Sequence, residues 1–72
     1  MDEPSPPVCH EIRVRGLLGG TLLGAFPGLR ARADGTDTVL TGLLPDRAAL
    51  YGVLAEIEAL GLELLELRRT RC

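Results

Sequence analysis

Cys9, His10 and Cys72 are the only cysteine and histidine side chains in the sequence, so any thiol or soft-metal chemistry has to run through them. Thiolate and imidazole groups suit zinc, which as a structural ion takes four such ligands. Cys9 and His10 are adjacent, and on a strand adjacent side chains point to opposite faces. A three-ligand cluster is therefore disfavoured, and Cys9 with Cys72 remains the pair that could hold a metal or close a disulfide. In the thiol-reducing cytosol the expected state is two reduced, unligated cysteines.

The second place with chemistry in it is Gly16-Leu17-Leu18-Gly19-Gly20-Thr21. Exposed backbone amides at the start of a helix can seat an anion or a ligand carboxylate. The stretch is no phosphate loop, because that motif needs Lys followed by Ser or Thr after its last glycine. Catalytic machinery is missing: one His is present, no Ser or Cys stands at a recognisable spacing from a base, and no enzymatic activity is expected. Glu56, Glu58, Glu63 and Glu66 read as surface charges. No cofactor is implied.

Arg13, Arg15, Arg30, Arg32 and Arg68 fall on alternate positions of strand-like segments, which predicts a locally basic sheet face on a chain of net charge −2. Sheets that bind RNA stack bases on aromatic residues of their central strands, and the single Phe and single Tyr are not on such strands. Nucleic acid is accordingly not the expected partner. All eight basic residues are Arg, which reads as coding bias of a GC-rich bacterial genome. No apolar run reaches the ~18–20 residues needed to cross a bilayer, and Met1-Asp2-Glu3-Pro4 lacks the basic flank of a secretory signal. A cytoplasmic protein without membrane contact is expected.

The elements that would position these residues follow from hydrophobic spacing. Residues 1–7 carry three prolines and two acids and read as a flexible leader, leaving 8–72 as one domain. Residues 10–15 alternate, with Ile12 and Val14 on one face. Leu18, Leu22, Ala25 and Phe26 have helical spacing, weakened by Gly19, Gly20 and Gly24. Leu29 to Ala33 and Thr38 to Leu43 form a hairpin about Asp34-Gly35. Asp46 caps a helix with the stripe Leu50, Val53, Leu54, Ile57 and Leu60, closed by Gly61. Leu62 to Arg69 is the last strand, with Leu65 and Leu67 on the core side.

The order strand, helix, strand, strand, helix, strand predicts an α+β, ferredoxin-like βαββαβ fold: a four-stranded antiparallel sheet of order 4-1-3-2 with both helices on one face. Pairing the first and last strands so that residue numbers sum to 79 sets Ile12 against Leu67 and Val14 against Leu65. On the open face it sets Arg13 against Glu66 and Glu11 against Arg68, and a shift by one residue destroys both matches.

Ile12-Arg13-Val14-Arg15-Gly16, Asp37-Thr38-Val39-Leu40-Thr41-Gly42, the run 46–54 and Leu60-Gly61-Leu62-Glu63-Leu64 together resemble a group of short, functionally uncharacterised proteins of high-GC bacteria. That group tends to have His in place of Tyr51 and Gln in place of Arg47, so a role at those positions would not carry over. Gly16-Leu17-Leu18 is also similar to the first strand-helix turn of ACT-type domains, which implies amino-acid binding at Gly16, Leu17, Leu18, Gly19 and Gly20. A chain of 72 residues buries little core and commonly relies on a staple or a partner subunit. The expected function is thus a non-enzymatic homo-oligomeric interaction or regulatory module, associating by a strand edge or by an open face carrying Arg13, Arg15, Leu64, Glu66 and Arg68. Two alternatives stand beside it: an ACT-like regulatory domain binding a small ligand at the Gly16–Gly20 turn, and a thiol- or metal-handling protein using Cys9 and Cys72.

Overall fold

Alternating apolar and polar residues from Val8 onward extend as a strand because only one face of the segment has a core to meet. In the computed structural model, which describes residues 8–71, this strand is β1 (Val8–Arg15). It is followed by α1 (Gly20–Leu23), β2 (Arg30–Asp34), β3 (Asp37–Leu44), α2 (Arg47–Ala59) and β4 (Leu64–Thr70). The sheet is antiparallel with order β2-β3-β1-β4, the expected order read from its other edge. The predicted leader, residues 1–7, lies outside the described residues, as does Cys72.

Residues from both helical segments pack on one face of the central strands. Ile12, Val14, Phe26, Leu40 and Ile57 are the buried cluster, with Leu18, Leu23, Ala25, Leu29, Val53, Leu54, Leu60 and Leu62 packed around it. The first helix is a single turn, short as its glycines predict, although the apolar spacing runs from Leu18 to Phe26. Its N-cap, Gly19, has no side chain to accept from the first amides, and Gly24 ends it. The chain then tightens into turns, with Ala25 N donating to Leu22 O and Phe26 N to Leu23 O, which delivers Phe26 into the core.

The second helix is terminated at both ends by side-chain and backbone chemistry that the sequence announces. Asp46 Oδ1 accepts from Ala49 N at 2.8 Å. At the other end Gly61, at φ +73, donates to Glu58 O while Leu62 N donates to Ile57 O, the paired bonds of a Schellman motif. Gly35, at φ +64, takes the first of the two loop positions between β2 and β3, as a type II′ hairpin requires.

The β1–β4 register matches expectation at three pairs: Ile12 with Leu67, Arg13 with Glu66 and Glu11 with Arg68. It departs at the fourth, where Val14 meets Leu64 rather than Leu65 across a bulge. An extra residue in one strand of an antiparallel pair is what a bulge accommodates. Leu65 and Leu67, predicted on the core side, stay outside the core cluster and are exposed, because the helices cover β1 and β3 and leave β4 uncovered.

Candidate functional site

The open face of the sheet carries the predicted arginines, but acids on the same face balance them. Register places Arg13, Val39 and Arg32 in one row with Glu66, and Glu11, Thr41 and Arg30 in the next with Arg68. Arg15, Asp37 and Asp34 form a third row. Glu11, only 16 % exposed, receives Arg68 Nε at 3.1 Å and Nη2 at 2.9 Å from β4, and Arg32 Nη2 at 3.8 Å from β2. Arg15 pairs with Glu63 at 3.2 Å, both well exposed. The predicted basic patch is therefore a mixed-charge face. Beneath it Val39 is fully buried although it belongs to no part of the helix-side core.

Arg13 stands opposite Glu66 in register, yet its guanidinium turns the other way, bonding Asp34 and reaching Asp37 at 3.3 Å. The reason is electrostatic. Asp34 and Asp37 face each other across the β2–β3 hairpin, and like charges directly opposite are destabilising. Arg13 answers both, and its hydrogen bond and charge hold the Asp34 carboxyl below its ordinary value while Asp34 raises that of Arg13.

Leu64, expected on the open face, is instead in register with Val14, whose neighbours are the helices. The bulge is responsible, since it shifts every β4 residue before Glu66 by one position. Leu64, Leu65 and Leu67 are nevertheless all exposed, so β4 presents three leucines along a sheet edge, beside Glu66, Arg68 and Arg69.

The Gly16–Gly20 turn is held by a hydroxyl. Thr38, buried on β3, donates from Oγ1 to Gly16 O at 2.7 Å and accepts from Leu18 N at 3.1 Å. Gly16 sits at φ +93, which only glycine adopts without strain. Gly19 O and Gly20 O accept from Leu23 N and Gly24 N. These polar groups of the turn are engaged within the protein, and a ligand at Gly16 or Leu18 would have to displace Thr38.

Cys9 is buried on the open face beside Thr70 and is disulfide-bonded, which corrects the expectation of a reduced thiol. Antiparallel pairing sets it opposite Thr70, the last residue of β4. Among the described residues no group of three or more His, Cys, Asp and Glu side chains could hold a metal ion. No helix among them is long and apolar enough to cross a membrane.

Sequence reasoning missed one feature. At the open end of the helix side, Val8, His10, Pro45, Asp46, Arg47, Leu50 and Arg69 line a cleft of about 280 Å³. Leu50, predicted as core, lines this cleft. Its residues come from β1, the start of α2 and the end of β4, and no local pattern joins them.

Comparison with curated proteins and with solved structures returns no match. One family does match, from the second residue of β1 through every following element to Arg68 in β4. The chain belongs to the family described as a domain of unknown function (DUF8691), which spans residues 9–68.

Proposed function

We propose that the protein is a non-enzymatic interaction module that self-associates through the free edge of β4. The carrying observation is that this edge strand exposes Leu64, Leu65 and Leu67 and has a neighbour, β1, on one side only. Exposed apolar edges are ordinarily blunted by Lys, Pro, bulges or cover; β4 has no Lys or Pro and no helix over it, and its bulge at Leu65 leaves Glu66 to Thr70 in regular register. The opposite edge, β2, carries charged residues as β4 does but no large apolar one, with Ala31 and Ala33 between Arg30, Arg32 and Asp34.

A second copy is the occupant that the charges favour. Antiparallel pairing of β4 with itself about Leu67 sets Glu66 opposite Arg68 of the second copy, twice by symmetry, with Leu67 against Leu67 on the other face and Leu65 along the aliphatic stem of Arg69. Glu66 has no ion pair among the described residues, so the contact gives it one. The element order and strand order also support a ferredoxin-like reading of the fold, a topology in which two copies can join their sheets edge to edge. With one His and no nucleophile placed beside a base, the chain's chemistry favours association over catalysis.

Sedimentation equilibrium of the wild type and of Glu66→Arg tests the reading. The wild type should be a dimer at micromolar concentration, and Glu66→Arg, which opposes two arginines in the self-paired register, should dissociate at least about tenfold more readily. A wild type that stays monomeric, or a variant that dimerises equally well, sinks the proposal.

A further inference from the structure

The cleft at the head of α2 has the makings of an anion site in three independent respects. First, its two arginines are uncommitted. Arg13, Arg15, Arg32 and Arg68 are all in ion pairs, whereas Arg47 and Arg69 have no acidic partner among the described residues. The one acid present, Asp46, is held by the Ala49 amide as the helix cap.

Second, a buried polar side chain is turned into the cleft with an atom unused. His10 is only 8 % exposed and lines this cleft together with the adjoining recess formed by Leu50, Leu67, Arg68 and Arg69. Its Nδ1 lies 3.1 Å from Val8 O. A carbonyl oxygen can only accept, so Nδ1 carries a proton, and Nε2 is an acceptor whenever the ring is neutral. Nε2 has no hydrogen-bond partner among the described residues, and it is not sealed from solvent.

Third, Arg47 and Ala48 are the first two residues of α2, whose amides have no partner within the helix and stand at its positive end. Val8, Pro45, Leu50 and Leu67 supply an apolar wall beside these groups.

We propose that this cleft binds a small phosphate monoester, with Arg47 and Arg69 holding the phosphate oxygens, His10 Nε2 accepting from a phosphate hydroxyl, and the ester's apolar body lying against Leu50 and Val8. The acceptor at Nε2 distinguishes phosphate from carboxylate. At or below its second pKa of about 6 a phosphate monoester carries one P–O–H that a neutral Nε2 accepts, whereas an ionised carboxylate has none. Two guanidinium groups match the remaining oxygens as charge-assisted donors. The site is on the helix side of the sheet, and His10 and Arg47 in it lie on β1 and α2, away from the β4 edge.

His10 is the only histidine, so its ring resonances report on the cleft without ambiguity. The experiment is an NMR titration of the full chain with phenyl phosphate, alongside inorganic phosphate, benzoate and sodium chloride at matched ionic strength. The expected result is a saturable shift of the His10 ring signals with phenyl phosphate at millimolar or lower concentration. Inorganic phosphate should bind more weakly and benzoate weakest. Arg47→Ala and Arg69→Ala should each weaken binding by at least about tenfold, while Arg30→Gln, on the open face, should leave it unchanged. No His10 shift, an equal shift with sodium chloride, benzoate binding as well as phenyl phosphate, or undiminished binding in both arginine variants would overturn the proposal.

Discussion

Replacing Gly42 by Ala places a methyl group where the backbone of another segment already lies. A Cβ at Gly42 would stand 2.5 Å from Leu29 Cδ2, 2.7 Å from Gly28 O and 3.2 Å from Leu29 Cα. The first contact could be relieved by rotating Leu29, but Leu29 packs on the core cluster. The second cannot, because Gly28 is at φ +86 in the turn that leads into β2. Overpacking of this kind lowers stability by about 1–3 kcal/mol, against a gain of about 0.5–1 kcal/mol from replacing glycine within a regular element. The net expectation is a loss of about 1–2 kcal/mol, or roughly 4–8 °C in Tm per kcal/mol for a domain of this size. Gly52→Ala provides the internal contrast. Gly52 lies within α2 with no atom near its would-be Cβ, so the same chemical change should raise stability by about 0.5–1 kcal/mol. Urea unfolding followed by circular dichroism, repeated at several protein concentrations to separate association from folding, measures both. A Gly42→Ala protein as stable as the wild type would show that the close approach of 28–29 to β3 is wrong.

Two further substitutions bear on the sheet. Arg13→Gln should reverse a pH dependence. In the wild type Asp34 is held below its ordinary value of 3.8, so its stabilising contribution is present above that pH and is lost as pH falls through the depressed value. Without Arg13 the opposed Asp34 and Asp37 repel, protonation relieves them, and stability should rise over the first part of the same acid titration. Parallel slopes in thermal melts would refute the role given to Arg13. Thr38→Val removes both bonds that hold the Gly16–Leu18 turn and leaves two backbone groups unanswered, for a loss of about 2–3 kcal/mol. Thr38→Ser, which keeps the hydroxyl, should lose less, and hydrogen exchange at the Leu18 amide should accelerate only in the valine protein.

What the sequence disclosed and what it hid divide by range. Alternation about Ile12 and Val14, the Asp46 cap and the Gly61 stop are local signals and led directly to β1 and α2. The charges on β1 and β4 were enough to set their register at Glu11 and Arg13. The register slip at Val14 was illegible because Leu64 and Leu65 are the same residue, so either could oppose it with equal apolar match. The truncation of α1 was half legible in its glycines. Thr38 under the first turn and Leu29 over Gly42 are contacts between segments distant in sequence, and nothing in either segment encodes the other. The same holds for His10, Arg47 and Arg69, which meet only because β1 and α2 begin, and β4 ends, at one corner of the sheet.

The two edges of this sheet differ in a way that decides how far any assembly could grow. If the apolar edge β4 met the Arg-bearing edge β2 of the next copy, each addition would expose a fresh β4, and the chain of copies would have no reason to stop. An edge that pairs with its own kind is consumed in a single step, leaving only two β2 strands outermost. The bulge beside Leu65 shortens the straight part of β4 further and spoils it as a template for longer ladders. In such a pair Arg30 and Arg32 would stand on both outer edges, where no leucine invites a further copy, so that association through β4 would double the protein without polymerising it.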